Sequence, residues 1–267
     1  AMKIQNLINL KGRRAIVTGA AGGLGIVIAE TLAELGSDLI LVDLDKNEIE
    51  SMEHRLADTF GVSIVGTVCD LEDQDQRQDL IDAIVSDGRE LNILVNNAAF
   101  VGSSNLPGWS APFVEQSVET WRRALEVNLV APFELCQGLS QVLKRSDGGN
   151  IINIASIYGQ FGPDWRIYEN TNMGNPAAYG ASKAGLIQLT KWLATTLAPD
   201  VRVNAISPGG VFAGQADQFV ESYCSRTPLD RMANYDDFRG GIAFLASDMA
   251  EYVTGQVLNI DGGWGVW

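Results

Sequence analysis

Short, almost continuously apolar runs alternate along this chain with longer stretches in which apolar and polar residues recur at helical spacing. Seven runs are rich in β-branched residues: AIVTG, DLILVD, VSIVGTV, NILVNN, NIINIAS, VRVNAIS and QVLNID. Uninterrupted apolar strands that alternate with helices are typical of a parallel sheet covered on both faces. The pattern predicts an α/β fold in which residues 1–267 form a single domain. The helices are predicted to begin near Gly23, Lys46, Gln74, Glu119, Ala177 and Tyr235.

Three connections between these elements are longer than the others, at residues 100–118, 157–178 and 211–233. In an open parallel sheet, ligands bind beyond the carboxyl ends of the strands, and each of these segments follows a strand. We therefore assign them to the substrate side, with 157–178 as an insertion and 211–233 as a lid.

A glycine-rich turn, TGAAGGLG, joins the first strand to the first long helix. Glycines in such a turn let the backbone approach a pyrophosphate at the helix N-terminus, where free N–H groups and the helix dipole favour negative charge. A glycine-rich segment is also compatible with an ordinary turn, but its position between a strand and a helix favours a dinucleotide site. No GK[ST] follows, so the motif does not predict a nucleoside-triphosphate P-loop.

Asp43 ends the second apolar run, eighteen residues after Gly25. An acid near this position hydrogen-bonds the ribose of a bound dinucleotide, and it repels the 2′-phosphate of NADP. No basic residue lies in the glycine turn or directly after Asp43, so we expect NAD, with NADP disfavoured. The alternative is that Asp43 only ends a strand. By the same geometry, Asp70 and Leu71 are expected beside the adenine.

Composition narrows the classes of function. The formal net charge of −14 is spread along the chain and predicts no nucleic-acid partner. No apolar run is long enough for a membrane span, and the amino-terminal segment lacks the apolar centre of a signal peptide. Three cysteines without ligand spacing predict reduced thiols, a cytoplasmic location and no metal site.

Tyr179 and Lys183 are four residues apart, which places a phenol and an ammonium on one face of a helix. At about 5 Å and an effective dielectric near 20, their attraction is on the order of 3 kcal/mol, or about two pKa units for the phenol. The chain has one histidine, His54, in a charged stretch, which argues against a serine-histidine-acid triad. This spacing also occurs by chance on many helices.

The order of TGAAGGLG, Asp43, NNAA, Asn128, Ser156, YGASK and PGG resembles the short-chain dehydrogenase/reductase family over almost the whole chain. The resemblance implies a Rossmann-type, doubly wound parallel sheet of about seven strands, a nicotinamide cofactor, and a homotetramer or homodimer. It implies that Tyr179 is the acid/base, that Lys183 lowers the pKa of Tyr179 and holds the nicotinamide ribose, that Ser156 polarises the substrate oxygen and that Asn128 anchors a water relay. The residues alone also allow Ser156 to be a strand-end cap and Asn128 to make a structural hydrogen bond. The expected cofactor contacts are Gly19, Gly22, Gly23, Leu24, Gly25, Asp43, Asp70, Leu71, Asn97, Ala98, Tyr179, Lys183, Pro208, Gly209 and Val211.

Two departures from the family pattern bear on function. Ala99 replaces the glycine of the usual NNAG, and the interval from Ser156 to Tyr179 is about ten residues longer than is common. Polar and aromatic side chains in or near this insertion suggest a sugar-like or polyol substrate: Gln160, Asp164, Arg166, Asn172 and Asn175 for hydrogen bonds, and Trp109, Trp165 and Tyr168 for stacking. The aromatic residues are equally compatible with packing within the loop.

Within the family, the pattern resembles a subgroup associated with bacterial flagellin modification and surface-sugar biosynthesis. The leading hypothesis is an NAD-dependent alcohol dehydrogenase or ketone reductase that acts on a small molecule. Two alternatives are a 3-oxoacyl thioester reductase of fatty-acid synthesis and a catalytically silent NAD-sensing protein.

Overall fold

The computed structural model describes residues 3–267. In this part of the chain seven strands form one fully parallel sheet in the order β3-β2-β1-β4-β5-β6-β7. The reversal of direction beside β1 is the topological switch point of a doubly wound sheet. The strands are β1 (Arg14–Thr18), β2 (Asp38–Asp43), β3 (Ile64–Val68), β4 (Ile93–Asn96), β5 (Gly149–Ile154), β6 (Val201–Pro208) and β7 (Val257–Ile260).

Helices cover both faces of the sheet. Several of them begin where short polar side chains satisfy free backbone N–H groups: Asp45 caps one and Asp73 caps the next. The α-helices of the described residues are α1 (Ile4–Leu7), α2 (Gly23–Glu34), α3 (Lys46–Phe60), α4 (Gln74–Ser86), α5 (Val118–Leu125), α6 (Ala131–Arg145), α7 (Ala177–Leu197), α8 (Asp217–Cys224) and α9 (Arg239–Ala246).

The central strands are buried on both faces, as their uninterrupted apolar sequences predict. Ala15 and Val17 of β1 pack into the core on one side of the sheet, and Ile16 between them packs into the core on the other side. Because successive side chains of a strand point to opposite faces, every side chain of a strand that lies between two cores is buried. The predicted fold class, a single α/β domain with a doubly wound seven-stranded sheet, is confirmed.

Differences from the predicted elements occur mainly around the loops. The helix expected near Glu119 begins at Val118, and the one expected at Tyr235 begins with a 3-10 turn before α9. The sequence interpretation also missed α8, which lies inside the segment 211–233. Within residues 3–267, no helix combines the length and apolar character needed to cross a membrane.

Candidate active site

A cavity of about 1050 Å³ opens at the carboxyl ends of the strands. One part, the glycine-turn end, is lined from residues 19–25, 42–48, 69–71 and 97–99. The other part, the insertion end, is lined from residues 100–110, 156–175 and 213–232. All fifteen of the expected cofactor contacts line this cavity, Tyr179 and Lys183 among them. The fold therefore brings residues from six strand ends to one surface.

The glycine turn is packed so tightly that Gly19 and Gly25 have no room for a side chain. Gly19 has a φ of +63°, and a Cβ added there would lie 2.8 Å from the Cα of Ala98. A Cβ on Gly25 would lie 1.9 Å from the carbonyl oxygen of Gly19. Gly22, the N-cap of α2, offers no side-chain acceptor to the first N–H groups of the helix. These N–H groups are therefore available to an anionic ligand at the positive end of the helix dipole.

Asp43 is held in place by backbone donors at the end of β2. One carboxylate oxygen accepts a hydrogen bond of 2.8 Å from Ala21 N–H, and the other accepts one of 2.7 Å from Leu44 N–H. The carboxylate thus lies beside the glycine turn, where it lines the cavity together with Asp70 and Leu71. Two N–H donors orient a carboxylate without neutralising it, so this wall remains negatively charged.

The end of β4 is joined to the glycine turn through Thr18 and Asn97. The Asn97 side-chain amide donates to the carbonyl oxygens of Thr18 and Gly19, both at 3.0 Å. The Thr18 hydroxyl in turn accepts from the backbone N–H groups of Asn97 and Ala98 at 3.0 and 3.1 Å. These bonds place the backbone of Asn97 and Ala98 against the turn, so the amide of Asn97 has a structural function here.

Tyr179 and Lys183 lie in the first two turns of α7. The Lys183 ammonium donates a hydrogen bond of 2.6 Å to the carbonyl oxygen of Ile154 at the end of β5, and it lies 5.9 Å from the centre of the Tyr179 ring. Lys183 is 2% exposed. The predicted proximity of the phenol and the ammonium is therefore present in the structure.

Burial shifts both groups toward their neutral forms. It raises the pKa of Tyr179, although a hydrogen bond with Ser156 acts in the opposite direction. It lowers the pKa of Lys183 to about 7. The pKa of Tyr179 is therefore raised, whereas its spacing from Lys183 predicted a lowering, because desolvation of the phenolate outweighs the hydrogen bond with Ser156.

Ser156 and Asn128 differ in their access to the cavity. Ser156 lines it, two residues after the end of β5, and its hydroxyl also accepts from the backbone N–H of Tyr158 at 3.2 Å. Asn128 is completely buried and does not line the cavity. Its side chain accepts from Phe100 N–H at 2.8 Å and donates to Phe100 O and Ser182 Oγ at 3.0 and 3.1 Å. A water relay at Asn128 stays a prediction, and the side chain itself fastens a cavity loop to α7.

Asn128 lies in a π-helical turn, Glu126–Val130, between α5 and α6. The buried Arg77 of α4 holds this turn, since its guanidinium pairs with Glu126 at 2.6 Å and also with Glu134 of α6. An extra residue in a helical turn redirects the side chains around it and is frequent at functional sites. The sequence carried no periodicity signal for this turn.

The segment 211–233 is closed at its base. Val211 and Ala233 form an isolated parallel bridge, and the Tyr223 hydroxyl of α8 accepts a 2.5 Å hydrogen bond from Gly210 N–H. Pro208, Gly209 and Val211 line the cavity just before this segment. Whether the segment acts as a lid stays a prediction, but it does form one wall of the insertion end.

Only some of the polar and aromatic residues singled out in the insertion reach the cavity. Asn172, Asn175 and Tyr168 line it. The others make contacts away from it: Gln160 donates to Ser207 and Asn259, Asp164 pairs with Arg166 and Arg226, Trp109 is buried and donates to Val101 O, and Trp165 is 57% exposed and packs on Tyr168.

Several residues of the insertion end were missed from the sequence. Tyr158, Phe219, Tyr223 and Met232 line the cavity. Phe219 and Tyr223 are four residues apart, which is the spacing of one helical face, so recognising α8 would have grouped them. Tyr158 follows Ser156 by two residues in a 3-10 turn, and nothing in its local pattern indicates the cavity.

Comparison with known proteins agrees with this geometry. A family model described as enoyl-(acyl carrier protein) reductase matches residues 19–265. A 3-oxoacyl-(acyl-carrier-protein) reductase of Thermotoga maritima is 32% identical over 261 residues, which are 96% of this chain and 99% of that protein. A post-translational flagellin modification protein A of Campylobacter coli is 30% identical over 96% of this chain and 100% of that protein.

Solved structures are similar over the full length. A gluconate 5-dehydrogenase from Burkholderia cenocepacia J2315, in complex with NADP and tartrate, superposes with a TM-score of 0.87 at 27% identity and covers 99% of this chain and 100% of that chain. An NAD⁺-bound xylitol dehydrogenase superposes with a TM-score of 0.83 at 29% identity, over 95% of this chain and 99% of that chain. The parallel sheet, the glycine turn and the tyrosine-lysine helix together with these similarities show that the chain belongs to the short-chain dehydrogenase/reductase family of oxidoreductases.

Proposed function

We propose that this protein is an NAD-dependent oxidoreductase that interconverts a secondary alcohol and a ketone on a sugar-like or polyol substrate. The observation that carries the proposal is the grouping of Tyr179, Lys183 and Ser156 on the wall of the cavity that also contains the glycine turn. A phenol, an ammonium and a hydroxyl beside a dinucleotide turn are the groups that proton transfer to or from a substrate oxygen requires.

The residues present fit a nicotinamide dinucleotide. Gly19 and Gly25 leave no room for side chains, the first N–H groups of α2 have no side-chain cap, and Asp43 is oriented beside them. We assign the pyrophosphate to the glycine turn, a ribose to Asp43, the adenine to Asp70 and Leu71, and the nicotinamide ribose to Tyr179 and Lys183. Asn97, Ala98, Pro208, Gly209 and Val211 would provide the backbone wall. When bound, the nicotinamide accepts or supplies the hydride.

The chain's own residues would handle the proton. In the oxidation direction, Ser156 hydrogen-bonds the substrate oxygen and Tyr179 removes its proton as the carbon gives up a hydride, which leaves a ketone. In the reduction direction Tyr179 returns the proton to the oxygen. Lys183 stabilises the phenolate by its charge, which offsets part of the cost of burying it. We retain Asn128 as the anchor of the water relay that reloads Tyr179.

The preference for NAD rests on Asp43. Its carboxylate stays at the cavity wall with two N–H donors and pairs with no basic side chain of residues 3–267, and the next residue, Leu44, is 62% exposed. A 2′-phosphate at this position would meet negative charge without a compensating cation. Structural relatives with bound NADP and with bound NAD⁺ are both known, so the choice within this protein depends on this local wall.

A 3-oxoacyl thioester is the second candidate substrate, favoured by the similarity to the Thermotoga maritima reductase. The net charge of −14 argues against this substrate, because acyl carrier proteins are themselves acidic and like charges repel. The similarity to the Campylobacter coli protein supports a role in surface-glycan metabolism, including flagellin modification.

Several large apolar side chains on the surface are exposed to solvent. Phe113, Val114 and Val118 are more than 60% exposed near α5, and Trp192 of α7 is 54% exposed. Large apolar side chains left in water favour association, so we propose a homotetramer or homodimer. We retain the cytoplasm as the proposed compartment. Sedimentation analysis and localisation of a tagged protein test these two points.

The main experiment compares the wild type with Tyr179→Phe. The wild type should oxidise members of a panel of sugars, polyols, hydroxyacids and simple alcohols with NAD, and reduce the matching ketones with NADH. Tyr179→Phe should lose about 10³-fold or more in kcat while NADH affinity stays within about twofold, because the phenol transfers a proton in the transition state. Tyr252→Phe, which alters a fully exposed phenol, is the matched control.

Different outcomes separate the candidates. An active Tyr179→Phe variant would contradict the assigned chemistry. Faster turnover of an acyl thioester than of any alcohol would favour the fatty-acid reaction, and NADH binding without turnover of any substrate would indicate a nucleotide sensor.

A further inference from the structure

Three polar side chains meet on the wall of the insertion end. The phenol oxygens of Tyr158 and Tyr168 are 2.7 Å apart, and the side-chain amide nitrogen of Asn175 lies 3.5 Å from the Tyr168 oxygen. All three residues line the cavity, and Asn175 is 8% exposed.

Hydrogen-bond counting shows that this cluster is incomplete by itself. Two phenols carry two hydrogens, and only one can lie between the two oxygens. The second has no acceptor among the hydrogen bonds of residues 3–267, and the carbonyl oxygen of the Asn175 side chain receives no donor there. One phenol donor and one amide acceptor of the cluster therefore remain unused among these hydrogen bonds. A hydroxyl group, which both donates and accepts, matches such a pair.

The cluster lies next to the proposed reaction centre. Tyr158 follows Ser156 by two residues, and its backbone N–H donates to the Ser156 hydroxyl at 3.2 Å. The Tyr168 phenol is close enough to Tyr179 to contribute to the rise in the Tyr179 pKa. A substrate whose reacting hydroxyl contacts Ser156 and Tyr179 would therefore bring an adjacent carbon toward Tyr158 and Tyr168.

The charges around the cavity favour a neutral ligand. Lys183 is the sole lysine or arginine among the described lining residues, and its ammonium is already bonded to Ile154 O. The carboxylates that line the cavity, Asp43, Asp45, Glu48 and Asp70, belong to the glycine-turn end. A carboxylate or phosphate at the insertion end would be desolvated without a counter-ion, which is costly.

The cluster is held by packing between two distant segments. The ring of Tyr168 packs on Phe219 of α8 at 5.5 Å between centroids, and Phe219 packs on Tyr223 at 6.1 Å. Asp164 of the insertion pairs with Arg226, just beyond α8. The added residues of the insertion thus bring Tyr168 against Tyr158 and keep it there.

We propose that Tyr158, Tyr168 and Asn175 form a subsite for a second hydroxyl of a neutral polyhydroxy substrate, on the carbon next to the one that is oxidised. This inference rests on the proposed function. It predicts that the enzyme selects vicinal diols over simple alcohols of the same shape, and uncharged polyols over sugar acids.

The test uses two cyclic alcohols that differ by one hydroxyl, cis-cyclohexane-1,2-diol and cyclohexanol. Wild-type kcat/KM should be about tenfold higher for the diol, since a lost hydrogen bond in a polar site typically costs this much or less. Tyr168→Phe and Asn175→Ala should each lower kcat/KM for the diol by about five- to tenfold through KM, with cyclohexanol changed less than about twofold. Tyr252→Phe should leave kcat/KM for both substrates unchanged. The NADH affinity of each variant reports whether it is folded.

Equal losses on both alcohols, or unchanged selectivity in both variants, would overturn the subsite while leaving the oxidoreductase function in place. A wild-type preference for gluconate over xylitol would overturn its neutral character. Failure of the wild type to oxidise any alcohol would instead refute the proposed function, and with it this inference.

Discussion

The glycine-turn end of the cavity is centred on the backbone of one local turn, with three other strand ends around it, whereas the insertion end is built from side chains of segments far apart in sequence. At the first, the shape depends on the missing Cβ atoms of Gly19 and Gly25 and on N–H groups of a helix start. At the second, it depends on contacts such as that between Tyr168 and Phe219, fifty-one positions apart. A site formed by the backbone of a local turn can be identified from a short sequence motif, but a site formed by side chains of two distant loops cannot.

The strongest test of this contrast places a methyl group in the glycine turn. Gly25→Ala puts a Cβ 1.9 Å from the Gly19 oxygen, so the backbone must move. We expect a destabilisation of about 3 kcal/mol and loss of measurable NADH binding, because overpacking at an inflexible site costs this much. Thermal unfolding and NADH fluorescence titration measure the two effects.

The control for this change is Gly240→Ala. Apart from its chain neighbours and its own helix backbone, no heavy atom of residues 3–267 lies within 4 Å of a Cβ at Gly240 in α9, so this substitution should be neutral or stabilise by up to about 1 kcal/mol through helix propensity. Normal NADH binding by Gly25→Ala would show that the tight turn is not essential.

Lys183 lies where the two ends meet, and its burial couples stability to pH. Its pKa is about 7 in the folded protein against an ordinary value of 10.5, so between these values the unfolded chain binds more protons. The free energy of unfolding of the wild type should therefore rise with pH across this window, by at most about 1.4 kcal/mol per pH unit from this one group. Below pH 7 the full cost of burying the charged lysine is present.

Lys183→Met removes this contribution. Without cofactor, the variant should gain most stability relative to the wild type near pH 6.5, and the difference should shrink by about 2 to 3 kcal/mol by pH 9. Urea unfolding at several pH values measures it. A difference that is constant with pH would mean that Lys183 is not desolvated as its burial indicates.

Asp43 tests the electrostatic part of the glycine-turn end. Asp43→Asn removes the negative charge, and we expect the ratio of kcat/KM for NADH over NADPH to fall about tenfold. Asp38→Asn, at the other end of β2, is the matched control, since its carboxylate accepts a hydrogen bond from Ser63 N–H and lies away from the cavity lining. Faster use of NADPH than of NADH by the wild type would overturn the role given to Asp43.

The smallest expected effect concerns the contact between the insertion and α8. Arg226→Gln breaks the ion pair between Arg226 and Asp164, whose side chains are 31% and 20% exposed, respectively. This change should lower the free energy of unfolding by less than about 1 kcal/mol. Hydrogen exchange should quicken in residues 160–176, and KM for the substrate should rise modestly while NADH affinity is unchanged.

Arg166→Gln is the control for this pair, because Arg166 binds the same carboxylate but is 69% exposed. A change in NADH affinity in Arg226→Gln would show that the two ends of the cavity are not separable.

Much of the fold could be predicted because local patterns were consistent with it. All seven apolar runs form strands, and α2, α3, α4 and α7 begin at the predicted residues. Asp45 and Asp73 cap the starts of α3 and α4. The helix α8 was missed because the loop around it is polar and its apolar face, Phe219 and Tyr223, is too short to show a period.

The sequence by itself determined the parallel α/β architecture, the glycine turn, the acid at Asp43 and the spacing of Tyr179 and Lys183. Each of these depends on residues close together in the chain, so local sterics and strand or helix periodicity suffice to specify them. Only the tertiary structure decided that burial raises the pKa of Tyr179 and that Asn128 bonds to Phe100 and Ser182 away from the cavity. It also decided which insertion residues face the cavity, because desolvation and long-range packing depend on which distant segments exclude water from a side chain.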